Sequence, residues 1–174
     1  RVLRQLLSRI EDEKTGEILL PELNCDIPKQ RIQQAKAAAE VLGDEVYKSF
    51  PIYDGVKPNN NKNHELILNR TWRPALSITG MEAIPPISEA GNVLRPKTAV
   101  KLSMRVPPTC DVEKANEILK TTLEKDPPYG AKVTFTPETP GPGWNAPALA
   151  PWLEKLTEEA SIAFFDKPAM YMGE

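Results

Sequence analysis

The stretch Gly91–Pro108 constrains this chain most. From Thr98 to Val106 apolar and polar residues alternate without a break. Side chains of an extended strand point alternately to opposite faces, so Val100, Leu102, Met104 and Val106 share one face and Ala99, Lys101, Ser103 and Arg105 the other. Pro96 ahead and Pro107-Pro108 behind bound the run, because proline has no N–H to give a ladder. The pattern predicts a half-buried strand whose apolar face builds a core and whose polar face carries charge. Arg105 is then either a solvated or locally paired arginine, or a fork that binds a carboxylate, a contact worth about 1.5–3 kcal/mol. Residue chemistry alone leaves both open.

The flanking segments supply partners for that strand. Val2, Leu3, Leu6, Leu7 and Ile10 recur at helical spacing, and Gly16 ends the polar stretch that follows. Asp26 and Pro28 announce a second helix over Gln30–Phe50, interrupted by Gly43, which marks a bend. Glu65–Trp72 is a short apolar run broken at Arg73-Pro74, and Ala75–Met81 alternates as a strand. Asp111 is a good N-cap for a helix over Val112–Lys125, with Val112, Ala115, Ile118, Leu119 and Leu123 as its buried stripe. Ala131–Thr136 alternates again, turning Val133 and Phe135 inward. A last helix follows Pro147 and Pro151, with Leu149, Leu153, Leu156, Ala160 and Phe164 on one side.

Without the insertion and the last helix, the order is α-β-β-α-β. One strand ahead of Arg1 would complete a β-α-β-β-α-β unit. The expected fold is therefore α+β: a ferredoxin-like two-layer sandwich, an antiparallel sheet with helices on one face, lacking its first strand, with an inserted helix and an extra C-terminal helix. Arg1 falls inside a helical pattern and Glu174 follows an apolar run, which reads as a piece excised from a longer protein.

Composition excludes several classes. The chain has 174 residues and a net charge of -2, so no global basic field points to nucleic acid. No stretch approaches the roughly 20 apolar residues of a membrane span. The 18 prolines are scattered and act as punctuation between elements, not as a repeat. Cys25 and Cys110 make neither a disulfide framework nor a metal pair, and read as two free thiols in a reducing compartment. His64 stands alone in a polar stretch, with no second histidine at metal-ligand spacing and no sign of a Ser-His-Asp triad. Residue types therefore predict no catalytic residue and no metal ligand.

A resemblance narrows the function. Trp72-Arg73-Pro74-Ala75-Leu76-Ser77-Ile78-Thr79-Gly80, then Asn92-Val93-Leu94-Arg95-Pro96, then Lys101-Leu102-Ser103-Met104-Arg105-Val106-Pro107 resemble the lid, or dimerisation, domain of the carnosinase-like dinuclear zinc peptidases. The Trp-Arg pair and the helical insertion before it are most similar to the cytosolic dipeptidase branch. The tail Phe165–Glu174 resembles the return into the catalytic domain, although the Gly-Gly-Ser-Ile-Pro that follows a glutamate in the family is not part of this sequence.

The resemblance implies a division of labour. Two divalent metal ions, zinc by expectation, would sit in a catalytic domain outside this chain and activate a water. Residues 1–144, with a helical insertion at about 17–64, would form the lid, and residues 145–174 would lead back to the catalytic domain. Arg105 matches the lid arginine that binds the substrate's C-terminal carboxylate, Asn92 a neighbouring amide, and Glu174 a residue near the substrate. The implied partners are the protein's own catalytic domain, a second copy in a homodimer and a peptide substrate, with no nucleic acid and no membrane, in the cytoplasm. Two other readings stand beside this one: an independent α+β interaction or ligand-binding module, and a self-contained metalloenzyme.

Overall fold

Ladder formation follows the alternation. The computed structural model describes residues Arg1–Gly173. Strand β1, Ala75–Glu82, pairs antiparallel with β2, Ala99–Arg105. The register sets Ala75 against Arg105, Leu76 against Met104, Ser77 against Ser103 and Ile78 against Leu102, then shifts so that Gly80 meets Lys101 and Met81 meets Val100. The shift is a bulge at Thr79. Strict alternation would put Gly80 and Glu82 on the face of Leu76 and Ile78. The extra residue resets the phase, so Met81 shares the apolar face with Val100 while Glu82 joins the polar one.

The apolar face is covered at one end only. Leu76, Leu102, Met104 and Val106 pack against a core of Leu6, Ile10, Ile18, Leu20, Leu23, Ala115, Leu119 and Leu123. Toward the other end Ile78 is 49% exposed and Met81 45%. Helix α1, Val2–Leu7, contributes Leu6, and the turn after it contributes Ile10. Helix α5, Val112–Glu124, is capped as expected: Asp111 Oδ1 accepts the Lys114 N–H at 3.1 Å. It turns Ala115, Leu119 and Leu123 into the core.

Two features of this unit depart from the sequence reading. Ile18, Leu20 and Leu23 are core residues in a segment with no clear period. A bridge between Glu11 and Ile18, closed by the Asp12–Gly16 turn, folds them under α5. Ala131–Thr136 does place Val133 and Phe135 against the core, but it joins no ladder among the described residues. Its Phe135 N–H goes to a side chain of α5 instead of a neighbouring strand.

The chain divides into two compact units, the first made of Arg1–Cys25 and Arg73–Pro142, the second of Asp26–Trp72 and the chain from Gly143. In the second, α2, Lys29–Leu42, and α3, Glu45–Lys48, are separated at Gly43, and α4 spans Asn63–Thr71. Ala35, Ala38, Val46, Ile67, Leu68 and Trp72 form its core. Small alanines on α2 let α4 approach closely. The expected single helix over Gln30–Phe50 is thus two, and the short apolar run before Arg73 is helical. Arg31 of α2 hydrogen-bonds Asn145 and Ala146, and Arg70 of α4 reaches Met172 Sδ at 3.3 Å.

Helix α6, Pro151–Phe165, has no buried residue. The apolar side of Leu149, Leu153, Leu156, Ala160 and Phe164 is open, with Phe164 83% exposed. Within its own unit the tail meets that helix where the Ala169 N–H donates to Glu158 Oε2 at 2.9 Å, too little to cover a helical face. The fold is α+β, with a two-stranded antiparallel sheet and six α-helices among the described residues. No helix among them is long and apolar enough to cross a membrane.

Candidate functional site

The polar face of the ladder is the surface that the sequence singled out. Arg105 is the last residue of β2, set against Ala75. The alternation that turns Leu102 and Met104 inward turns Arg105 outward, and it is exposed. Along the same face Ser103 lies opposite Ser77, and Lys101 opposite Gly80. Lys101 Nζ meets Glu138 Oε1 at 2.7 Å. Both partners are well exposed, so this pair adds little to stability, but it occupies the lysine. Thr79 Oγ1 donates to the Lys101 carbonyl at 3.4 Å, holding the bulge against β2.

Chemically this face is suited to binding. A guanidinium presents a planar set of donors that matches a carboxylate, and the Ser77–Ser103 pair adds hydroxyls that can donate or accept. The serine pair was not anticipated. Its signal was the ladder register, which places two serines from different strands side by side.

Asn92 lies in the loop between Glu82 and Ala99, at the opposite end of β2 from Arg105. Seven residues of strand separate those ends by about 20 Å along the ladder. Asn92 is exposed at a tight turn, where the Val93 N–H meets the Gly91 carbonyl at 3.0 Å. The ladder by itself therefore does not bring Asn92 and Arg105 together. Glu174, the third residue singled out, lies outside the described residues.

No alternative centre emerges among the other described residues. His64 sits in the first turn of α4, not in a loop, and is partly buried with Nε2 3.3 Å from Glu65 Oε1. Among the described residues no three His, Cys, Asp or Glu side chains cluster as a metal site would need. Shallow clefts run along α6, one lined by Glu154, Lys155, Glu158 and Tyr171.

Comparison with known proteins gives a fold likeness. No family model matches the chain, and no curated protein matches it. Among solved structures it is similar to the di-peptidase Dug1p from Saccharomyces cerevisiae, with a TM-score of 0.52 and 23% identity over 70% of this chain and 25% of that one. It is also similar to Sso-CP2, an M20 family metallo-carboxypeptidase from Sulfolobus solfataricus, with a TM-score of 0.52 and 18% identity over 71% of this chain and 32% of that one. At such identities the likeness is one of fold. The chain spans about a quarter to a third of the length of these two structures.

Proposed function

We propose that this chain is the lid and dimerisation portion of a metal-dependent dipeptidase or carboxypeptidase-type hydrolase, and that Arg105 binds the substrate's carboxylate. The observation that carries this reading is the exposed position of Arg105 at the end of a polar strand face whose reverse side is anchored in the core. The similarity in fold to part of Dug1p and part of Sso-CP2 supports it. On this reading residues 1–144 are the lid, with residues 17–64 inserted, and residues 145–174 lead into the catalytic domain. That domain holds two divalent metal ions, zinc by expectation, which supply the activated water. Asn92 and Glu174 approach the same substrate, and the whole protein works as a cytoplasmic homodimer.

The finer fold assignment, a ferredoxin-like sandwich, belongs to the same proposal. Ala131–Thr136 alternates and packs like a strand but joins no ladder among the described residues. An edge strand of a split βαβ unit, whose neighbour would be the unit's first strand, would look the same.

The test is kinetic and uses the intact protein. Arg105→Ala should lower kcat/KM for peptides with a free C-terminal carboxylate by about 10- to 100-fold, the loss of one charge-assisted fork. C-terminally amidated peptides should be affected far less, and the bound metal content should not change. Equal kinetics for wild type and variant on free-acid peptides would remove Arg105 from the role.

A further inference from the structure

The two cysteines are far apart in sequence but belong to the same unit. The 3-10 turn Pro21–Leu23 packs on α5 and buries Leu23 completely. Cys25 follows that turn and is the last residue of the first unit's opening segment, before the chain passes into the second unit at Asp26. Cys110 precedes the N-cap of α5, with its N–H on the Pro107 carbonyl at 3.0 Å, and its side chain packs against the same core as Leu23. Both are free, partly buried thiols. The packing of the turn on α5 brings Cys25 close enough to Cys110 to act on its thiol.

We propose that Cys25 and Cys110 form a reversible intramolecular disulfide, a thiol-exchange site that staples the exit from the first unit to the start of α5. The oxidant is a small disulfide such as oxidised glutathione. One cysteine thiolate attacks a glutathione sulfur, a protein–glutathione disulfide forms, and one glutathione thiolate leaves. The second cysteine thiolate then attacks the protein sulfur, the protein disulfide forms, and the second glutathione leaves. The two cysteine protons end on the two glutathiones, and the oxidant takes the electron pair. Burial pushes the Cys110 thiol up, with Cys25 and Asp111 acting in the same direction. That suits Cys110 to the second step, where a neighbouring sulfur is already in place, more than to the first. The bond would close a long loop, and a constraint on a long loop restricts the unfolded chain most.

The full chain, incubated with oxidised glutathione and analysed without reduction, should lose both thiols together. Its mass should fall by about 2 Da with no glutathione attached. Proteolysis should release one linked peptide pair containing Cys25 and Cys110, and dithiothreitol should restore both thiols. Cys110→Ser should instead accumulate one glutathione adduct on Cys25. Two independent adducts on the wild-type chain, cross-links only between chains, or no loss of thiols would each overturn the proposal.

Discussion

Phe135 donates its backbone N–H to Glu124 Oε1 at 2.8 Å, so a carboxylate in the last turn of α5 does the work of a missing ladder acceptor. The Phe135 side chain packs against the core and its N–H is part-buried. An unpaired buried donor costs about 1–3 kcal/mol. Glu124→Ala should therefore destabilise the chain by about that amount in urea unfolding. Glu124→Gln keeps an acceptor at the same reach and should cost less than about half as much. Equal losses for the two variants would assign the effect to the carboxylate's charge and not to the hydrogen bond.

The same end of that helix has a second dependence. Arg9 sends Nη1 to the carbonyls of Thr122 at 3.1 Å and Lys125 at 2.6 Å, and Nη2 to Asp126 at 2.7 Å. The first two are carbonyls that a helix C-terminus leaves without intrahelical partners, and a cation there also complements the helix dipole. Arg9→Ala should cost about 2 kcal/mol in denaturant unfolding, with hydrogen exchange accelerated in the last turn of α5. Arg9→Lys keeps the charge but loses the fork, and should recover less than half of the loss. Full recovery with lysine would mean that charge alone holds the turn.

Asp12 makes stability depend on acid. Its Oδ1 accepts the Lys14 N–H at 2.9 Å, the Thr15 N–H at 2.8 Å and the Thr15 hydroxyl at 3.0 Å. Hydrogen bonds from Thr15, then from Lys14, hold its pKa below 3.8 in the folded chain. A carboxylate with a depressed folded value binds more protons unfolded than folded. Its contribution is fully present above the unfolded value near 3.8 and is lost as pH falls through the lower folded one. Wild type should exceed Asp12→Asn in stability by a constant margin at about pH 5–7, and the margin should shrink below about pH 4. A margin that persists unchanged to about pH 2 would rule out the charged carboxylate as its source.

These contacts also show what could be read from the sequence and what could not. The alternation from Thr98 to Val106 predicts β2 and its two faces, and Asp111 predicts the start of α5, because both signals are local. The core role of Ile18, Leu20 and Leu23 was hidden: a bridge from Glu11 to Ile18 and a turn around Gly16 create it, and neither leaves a period. The Thr79 bulge was equally silent, since only pairing with β2 reveals the extra residue. In α6 the pattern gave an apolar side, but burial needs a partner, and its own unit supplies little. At the candidate site, the outward direction of Arg105 was legible from the period of the strand. The path of the loop carrying Asn92 was not, and neither was the meeting of Cys25 with Cys110, because proximity across so long a separation is set by tertiary packing.

Gly43 offers a prediction whose sign separates two views of the insertion. Read as an interior residue of one helix over Gln30–Phe50, glycine costs about 1 kcal/mol relative to alanine, so Gly43→Ala would stabilise. The structure instead ends α2 at Leu42 and gives Gly43 φ 54° and ψ -134°, with its N–H on the Ala39 carbonyl at 2.9 Å. That conformation suits glycine and strains any residue with a Cβ, by about 1–3 kcal/mol. Nothing lies within 4 Å of where a Cβ would sit, so the penalty is backbone strain and not a clash. Gly43→Ala should therefore lower the unfolding midpoint of the second unit. Tryptophan fluorescence reports on it, because Trp72, Trp144 and Trp152 all belong to that unit. A raised midpoint would restore the continuous helix, and with it a different packing of α2 on α4.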